Sequence, residues 1–265
     1  SFTLERIWLH RILVIWVLVG ISVATTLSLS LSLYVDSVYS ELLKSRLDDP
    51  PYAFRFRYLG AWDGNIEFQD VESASTAIQS NFVDTIGLTV LNDVRFTSGG
   101  MWSVRLPEMP LGTFRIGILE NADDQIIISD GQWPPDPVAA GDPVPVLIPD
   151  AMFYRMGLQI GDESTAQRSG GDPLTVEIAA IWRPVNAADP SWIFPPKFFD
   201  EIFLVQPDTF GVLLEGVERP IDEVAWFLNF DGSNVRTSDV DVLLGNIVNG
   251  ERDVLSVLPD ISADI

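Results

Sequence analysis

The sequence predicts an α+β protein with one N-terminal transmembrane helix, a helical stalk and a two-lobed, mixed α+β extracytoplasmic domain. Residues 12–33 contain no charged residue and no proline. From residue 52 onward, short runs of alternating apolar and polar residues are interspersed with segments of helical periodicity. The net charge of −22 lies almost entirely after residue 33. These three observations predict the anchor, the fold class and the acidic character of the outer domain.

Residues 12–33 are predicted to form the transmembrane helix. A helix rises about 1.5 Å per residue, so this stretch would measure roughly 33 Å and would cross a hydrocarbon core of about 30 Å with a small tilt. Arg6, His10 and Arg11 lie in the preceding lead, residues 1–11. Because basic residues next to a span mark the cytoplasmic side, we expect a cytoplasmic lead and an outer domain beyond the membrane.

Three other interpretations of this stretch are weaker. A cleavable signal peptide has an apolar region of only about 7–15 residues and ends in a small-residue cleavage site. A buried helix of a soluble protein would carry polar residues along one face, whereas residues 12–24 have almost none. The Ser/Leu alternation of residues 27–33 has the period of a strand, but a single strand in lipid would leave its backbone unpaired. A spanning helix therefore remains the prediction.

One face of the predicted span carries small residues at intervals of four: Gly20, Ala24, Ser28 and Ser32. Such a stripe lets another helix approach closely, so we expect this face to pack against a second transmembrane helix. The alternative is that these positions reflect only the general frequency of small residues in spanning helices.

The outer part of the chain lacks residues that several enzyme classes need. The chain has no cysteine, and its only histidine is His10 in the lead. It also lacks the glycine motifs of nucleotide sites, the G-x-S-x-G elbow and the EF-hand spacing. Asp48 with Asp49, and Asp123 with Asp124, are interpreted as solvated turn residues. We therefore predict no catalytic residues, no cofactor and no metal site, and the acidic charge argues against nucleic acid as a partner.

Local patterns predict the elements of the first half. The helical spacing continues through a stalk at residues 34–50 until Pro50 and Pro51 end it. The elements predicted after the stalk are strands at 53–59 and 65–71 that pair with each other, a helix at 71–87 ended by Gly87, strands at 88–96 and 101–106 joined by a turn at Ser98, Gly99 and Gly100, and a strand at 113–119.

The second half of the chain begins with a loop rich in proline and glycine at residues 130–143. Asp150 is a candidate N-cap of a short helix that Gly157 ends. The further predicted elements are strands at 144–149, 174–182, 201–205 and 223–230, and helices at 208–214 and 237–248. The order of the elements is typical of a mixed α+β fold.

Two lobes follow from these elements. The first lobe is predicted at residues 51–120 and the second at 144–214, with a Pro/Gly-rich connection at 121–143. Residues 215–265 are expected to return a strand and a helix to the first lobe or to the stalk.

Six aromatic residues lie near prolines in two predicted loops. They either form a binding surface or close the end of a core. The six are Trp133, Trp182, Trp192, Phe194, Phe198 and Phe199.

Residues 130–195 carry a family resemblance. The runs GQWPPDP, VPVLIPDAMFYRMGLQIGDES and LTVEIAAIWRPVNAADPSW resemble the extracytoplasmic domain of ABC-transporter permeases of the MacB/FtsX-like type. In that family, a helix with the pattern LGL-x-VGD follows a strand, and a strand with V-x-I-x-G-I comes after a hairpin. The matching residues here are Met156, Gly157, Leu158, Ile160, Gly161 and Asp162 for the first pattern, and Ile178, Ala179, Ala180 and Ile181 for the second, with alanine where glycine is usual.

The resemblance implies a non-catalytic subunit whose outer domain binds or moves a partner or substrate. It implies the bacterial inner membrane as location, the lipid bilayer and other transmembrane helices as surroundings, and a separate cytoplasmic ABC ATPase as the source of any nucleotide chemistry. The chain reaches Ile265 without a second span, so it is interpreted as the N-terminal portion of a longer permease or as a related single-span protein. The alternative function is a single-span accessory or scaffold subunit docked by its helix onto a larger membrane complex, respiratory or photosynthetic. A membrane-anchored enzyme is the third and weakest hypothesis.

Overall fold

The computed structural model describes residues 15–26, 30, 34, 37–38, 41–42, 54–60, 65–107, 109–134, 138, 141–189, 191–215 and 217–264. Residues 15–26 form helix α1, and the described residues between 30 and 42 are also helical. The lead at 1–11, both ends of the predicted span and most of the stalk lie outside the described residues. Within the described ranges, no helix is both long enough and apolar enough to cross a membrane.

The strands and helices of the remaining chain are as follows: β1 Phe54–Leu59, α2 Phe68–Ala77, β2 Val90–Arg105, β3 Pro110–Glu120, β4 Ile126–Gly131, β5 Val144–Pro149, α3 Asp150–Met156, β6 Glu163–Gln167, β7 Leu174–Pro184, β8 Ile202–Leu204, α4 Pro207–Leu214, β9 Ile221–Phe230, α5 Val240–Val257 and β10 Ser262–Asp264. This content agrees with the predicted mixed α+β class.

The strands form one ten-stranded sheet in the order β10-β1-β9-β2-β3-β8-β5-β7-β4, with β6 pairing to β2 and β7. The β3–β8 and β5–β7 pairs are parallel and the other pairs are antiparallel. Strands from both predicted lobes therefore belong to the same sheet. The division into two lobes stays a prediction.

Helices cover the first face of the sheet. Helix α2 continues through a π-helical turn at Ile78–Val83 and a last turn at Asp84–Ile86. Gly87 then ends it with a φ of 70°, as the sequence predicted. Helix α5 packs against the π-helical turn, where an ideal Cβ on Gly250 would lie 2.9 Å from Cδ2 of Phe82. The larger apolar core lies between these helices and the sheet.

A segment formed by residues 185–189 and 191–201, called the 185–201 segment below, packs on part of the second face of the sheet. It ends in a 3₁₀ helix, Pro196–Glu201, which leads directly into β8. The smaller core under this segment contains the buried residues Val94, Phe96, Ala122, Ile126, Leu147, Ala180, Trp182, Trp192, Ile193, Phe199, Ile202, Leu204, Ala225 and Phe227.

The predicted strand at 65–71 is wrong, because helix α2 begins at Phe68. Glu67 and Asp70 form a capping box that starts the helix, and the backbone N–H of Glu67 donates to Asp70 Oδ2 at 2.8 Å. Strand β1 instead pairs with β9 and β10, which come from the last 45 residues of the chain. Long-range pairing therefore replaced the predicted local hairpin.

The predicted turn at Ser98, Gly99 and Gly100 is also wrong, because β2 runs through it with a shift in its pairing to β3. The two glycines permit close approach instead. An ideal Cβ on Gly99 would lie 3.1 Å from the Pro220 carbonyl oxygen, and one on Gly100 would lie 3.0 Å from Nη2 of Arg168. The chain turns further on, where the N–H of Leu106 donates to the carbonyl of Met109 at 2.9 Å.

Candidate functional site

The predicted helix-packing face is only partly within the described residues. Gly20 and Ala24 lie in the exposed helix α1, and an ideal Cβ on Gly20 would meet nothing within 4 Å. Ser28 and Ser32 lie outside the described ranges. Packing of this face against another helix stays a prediction.

The four family-motif residues meet in one tight turn between α3 and β6. Gly157 ends α3 with a φ of 66°, and Leu158 is buried in the larger core. Gly161, with a φ of 85°, donates its N–H to the Ile178 carbonyl at 2.9 Å. Asp162 Oδ2 accepts the Gln159 N–H at 2.7 Å. The turn joins α3 to β6 through backbone geometry that glycine adopts without strain.

The six aromatic residues fall into three groups. Trp182, Trp192 and Phe199 are buried in the smaller core, so for them the core interpretation holds. Trp133 is 46% exposed. Phe194 and Phe198 are half-buried at the edge of that core, with their rings stacked at a centroid distance of 4.3 Å. This last pair contributes to a surface.

Two arginines lie against the stacked rings. Cζ of Arg57, on β1, lies 5.9 Å from the Phe194 ring centroid. Cζ of Arg115, on β3, lies 4.9 Å from the Phe198 ring centroid. Both distances are within the range of a cation–π attraction, which contributes about 0.5–1 kcal/mol at an exposed site. The arginines therefore hold the 185–201 segment against the β1–β3 part of the sheet.

One carboxylate joins the two arginines. Nε and Nη2 of Arg57 donate to Oε1 of Glu223 at 3.0 and 2.6 Å, and Nη1 of Arg115 donates to Oε2 at 3.1 Å. The Glu223 side chain is only 7% exposed. We call Arg57, Arg115, Glu223, Phe194 and Phe198 the arginine–aromatic site. With two guanidinium groups and one carboxylate, its formal charge is +1.

Sequence reasoning did not identify this site, although part of a signal was present. Residues 53–59 alternate cleanly, and a period of two places Arg57 on the face opposite to Phe56 and Tyr58. Phe194 and Phe198 belong to the six aromatic residues for which the sequence predicts either a binding surface or the end of a core. Glu223 could not be connected to them, because it lies 166 residues after Arg57 and meets it only through the β1–β9 pair.

A second charged network lies on the first face. It has one arginine and two carboxylates, the opposite charge balance to the arginine–aromatic site. Nε and Nη2 of Arg95 donate to Glu120 at 2.5 and 2.7 Å, and Nη2 also donates to Glu72 at 2.7 Å. Burial by itself lowers the pKa of Arg95, but the hydrogen bonds and charges of Glu120 and Glu72 outweigh burial and leave that pKa raised. Arg95 also donates to Ser75 Oγ, which accepts the Trp226 indole N–H at 2.8 Å. This network fastens α2 to the sheet.

Two further carboxylates have shifted pKa values. Burial raises the pKa of Asp93, against the opposing hydrogen bond from Gln79. Hydrogen bonds from Ser191 lower the pKa of Asp189 within a turn. In the part of the chain that the structure describes, no three His, Cys, Asp or Glu residues are grouped so as to hold a metal ion.

Comparison with known proteins finds no matching family model and no matching curated protein. Two solved structures are similar. The periplasmic region of MacB from Actinobacillus actinomycetemcomitans is 8% identical, with a TM-score of 0.45 over 79% of this chain and 87% of that one. A domain from a protein assigned as a permease in Porphyromonas gingivalis is 14% identical, with a TM-score of 0.38 over 79% and 85%.

Proposed function

We propose that this chain is a membrane-anchored, non-catalytic subunit of the MacB/FtsX-like ABC-permease kind, whose outer domain binds or moves a partner or substrate. The observation that carries the proposal is the turn between α3 and β6. The motif glycines Gly157 and Gly161 both have positive φ there, and Leu158 and Asp162 fill the core and the turn. The two glycines of the family pattern thus fall at positions whose positive φ favours glycine.

Support for the anchor comes from helix α1. Large apolar side chains cover this helix on all sides and are exposed, with Trp16 at 70% and Leu18 at 59%. A helix that is apolar all round needs lipid or other protein around it. The exposed apolar surface of α1 and the charge-free sequence of residues 12–33 together support a helix that spans the membrane, with the domain after it on the extracytoplasmic side.

A topology experiment tests the anchor and uses the natural absence of cysteine. Thr3→Cys and Asp123→Cys are expressed separately, and intact spheroplasts are treated with a membrane-impermeant maleimide. We expect Asp123→Cys to be labelled at once and Thr3→Cys only after lysis. Labelling of both in intact spheroplasts, or the reverse pattern, would contradict the proposed topology.

A native purification in mild detergent tests the transport role. We expect a cytoplasmic ABC ATPase to travel with the protein, because the sequence has no nucleotide-binding motif and the nucleotide site must come from a partner. Recovery of a large respiratory or photosynthetic complex without an ATPase would replace the transport role with that of an accessory subunit.

A further inference from the structure

The arginine–aromatic site has a charge balance opposite to that of the chain as a whole. The chain has 38 acidic residues against 16 lysines and arginines. At this site, Arg57 and Arg115 share the single carboxylate of Glu223. Burying charge costs free energy, and a fold that needed only an ion pair here would need only one arginine. An ion pair alone therefore does not account for the second guanidinium, which also packs on the Phe198 ring.

Several N–H groups of the two arginines are unused. Among the described residues, Nη1 of Arg57 and both Nε and Nη2 of Arg115 have no hydrogen-bond acceptor. The side chains of Arg57 and Arg115 are 39% and 23% exposed, so the unused donors are open to solvent. A guanidinium group presents its donors as a planar fork that matches a carboxylate.

The sheet beneath the site is lined by small residues. Ser98 lies directly opposite Glu223 on β9 and Gly117 on β3. The Ser98 hydroxyl is fully buried and has no hydrogen-bond partner within the described residues. A segment docked at the surface would not reach this buried hydroxyl, and the donors open to such a segment are those of the two guanidinium groups.

Apolar surface flanks the unused donors. Met101 lies directly across from Arg115 on the neighbouring strand, so the two side chains share a face of the sheet. Met101 is 51% exposed, and its flexible thioether suits a binding surface. Cζ of Arg115 also lies 4.9 Å from the centroid of the half-buried Phe198 ring. Arg115 thus has two apolar neighbours, Met101 across the strand pair and Phe198 on the 185–201 segment.

We propose that this surface docks an acidic segment of a partner protein. The segment's carboxylates accept the unused N–H groups of Arg57 and Arg115, and its apolar side chains contact Met101 and Phe198. Charge complementarity selects this occupant, because a basic segment would be attracted to the acidic surface elsewhere and repelled here. The inference deepens the proposed function, on which it rests, by naming the class of partner that the outer domain binds.

The first test measures binding of a fluorescein-labelled twelve-residue peptide of alternating Glu and Leu to the purified full chain in detergent, by fluorescence polarisation. Arg57→Gln and Arg115→Gln are each expected to weaken binding about tenfold or more, which corresponds to the loss of one charge-assisted contact. Arg183→Gln is the matched control, because it removes one exposed arginine from β7 and changes the net charge equally. Its affinity should stay within about twofold of wild type.

A second pair of variants tests the same surface without changing the arginines, in case the arginine variants unfold. Met101→Glu and Leu244→Glu each place one negative charge at a side chain that is 51% exposed, but Leu244 lies on α5, on the first face. We expect only Met101→Glu to abolish binding, through repulsion of the acidic peptide. Equal effects of the two variants would overturn the proposal.

Competition with sodium phosphate separates a protein segment from a free anion. We expect the peptide to bind more tightly than phosphate, since phosphate makes no apolar contact. If phosphate occupies the site and the peptide binds no more tightly, or if the peptide does not bind at all, the docking proposal fails. This binding assay does not depend on membrane topology or on an ATPase, so its failure would leave the tests of the proposed function unaffected.

Discussion

Charged residues have different roles on the two faces of the sheet. On the first face, a single arginine, Arg95, lies among the carboxylates of Glu72 and Glu120 beneath α2 and is nearly enclosed. On the second face, a single carboxylate, Glu223, lies between two arginines that remain open to solvent. The first arrangement has its donors satisfied internally and stabilises the fold, whereas the second leaves donors for a partner. Burial and balance of charge together distinguish a structural network from a candidate binding site.

The aromatic residues differ between the faces in the same way. Phe82 is fully buried on the first face and contacts Phe54, Phe56 and Phe230 edge to face. On the second face, Phe198 is half-buried and packs against an arginine as well as against other rings. The first face should therefore contribute more to stability than the second.

The largest expected effect is that of Phe82→Ala. Removing this buried ring leaves a cavity between α5 and the sheet and should lower the free energy of unfolding by about 3–5 kcal/mol. Phe198→Ala, its counterpart on the second face, should cost clearly less because water can reach the site. Urea denaturation of the full chain, followed by tryptophan fluorescence, compares the two variants. Equal losses would show that the faces do not differ in this respect.

Arg95→Gln is expected to have the next largest effect. It leaves Glu120 and Glu72 without their cation, but Glu72 is 49% exposed and stays hydrated, so the expected cost is about 2 kcal/mol. Arg57→Gln should cost about 1 kcal/mol or less, since Arg57 is partly exposed and Arg115 still pairs with Glu223. Midpoints of urea unfolding measure both. A greater loss for Arg57→Gln would reverse the assignment of roles.

Gly250→Ala should destabilise the protein by about 1–3 kcal/mol, because the added Cβ would lie 2.9 Å from Cδ2 and 3.2 Å from Cα of Phe82. Gly245→Ala on the same helix is the matched control, since nothing lies within 4 Å of its ideal Cβ. There alanine should stabilise the helix by about 0.5–1 kcal/mol. Thermal unfolding with circular dichroism measures the difference. If both changes stabilised the protein, the close contact of α5 with Phe82 would be disproved.

The smallest expected effect is the pH dependence of Asp93→Asn. Burial raises the folded pKa of Asp93 above the ordinary value of 3.8, so ionisation costs stability above the folded pKa and costs nothing below 3.8. The variant should therefore be more stable than wild type at pH 7, and the difference should shrink as pH falls toward 4. Urea midpoints at the two pH values measure this. A difference that grows on acidification would contradict it.

Local signals predicted many elements correctly. The strand at residues 144–149 matches β5, and Gly157 ends α3 as expected. The predicted N-cap differs by one residue, because Pro149 holds that position and Asp150 is the first helical residue. These signals depend on residues a few positions apart, and such contacts are already encoded in the local sequence.

Errors arose where distant strands decided the outcome. Residues 65–71 have strand-like composition, but β1 pairs with β9 and β10 instead. A capping box at Glu67 and Asp70 begins helix α2 within these residues. Ser98, Gly99 and Gly100 have the composition of a turn, but Pro220 and Arg168 approach them so closely that only small residues fit in the continuing strand. Composition alone cannot distinguish a turn glycine from one that permits close approach.

The sequence by itself determined the charge-free stretch at 12–33, the acidic character of the chain after residue 33 and the glycines that end helices. Each of these follows from composition or from spacings of a few residues. Only the tertiary structure placed Glu223 between Arg57 and Arg115, across 166 and 108 residues of chain. Periodicity sets the face on which a side chain lies, but strand order and register set its neighbours, and these depend on packing of the whole sheet.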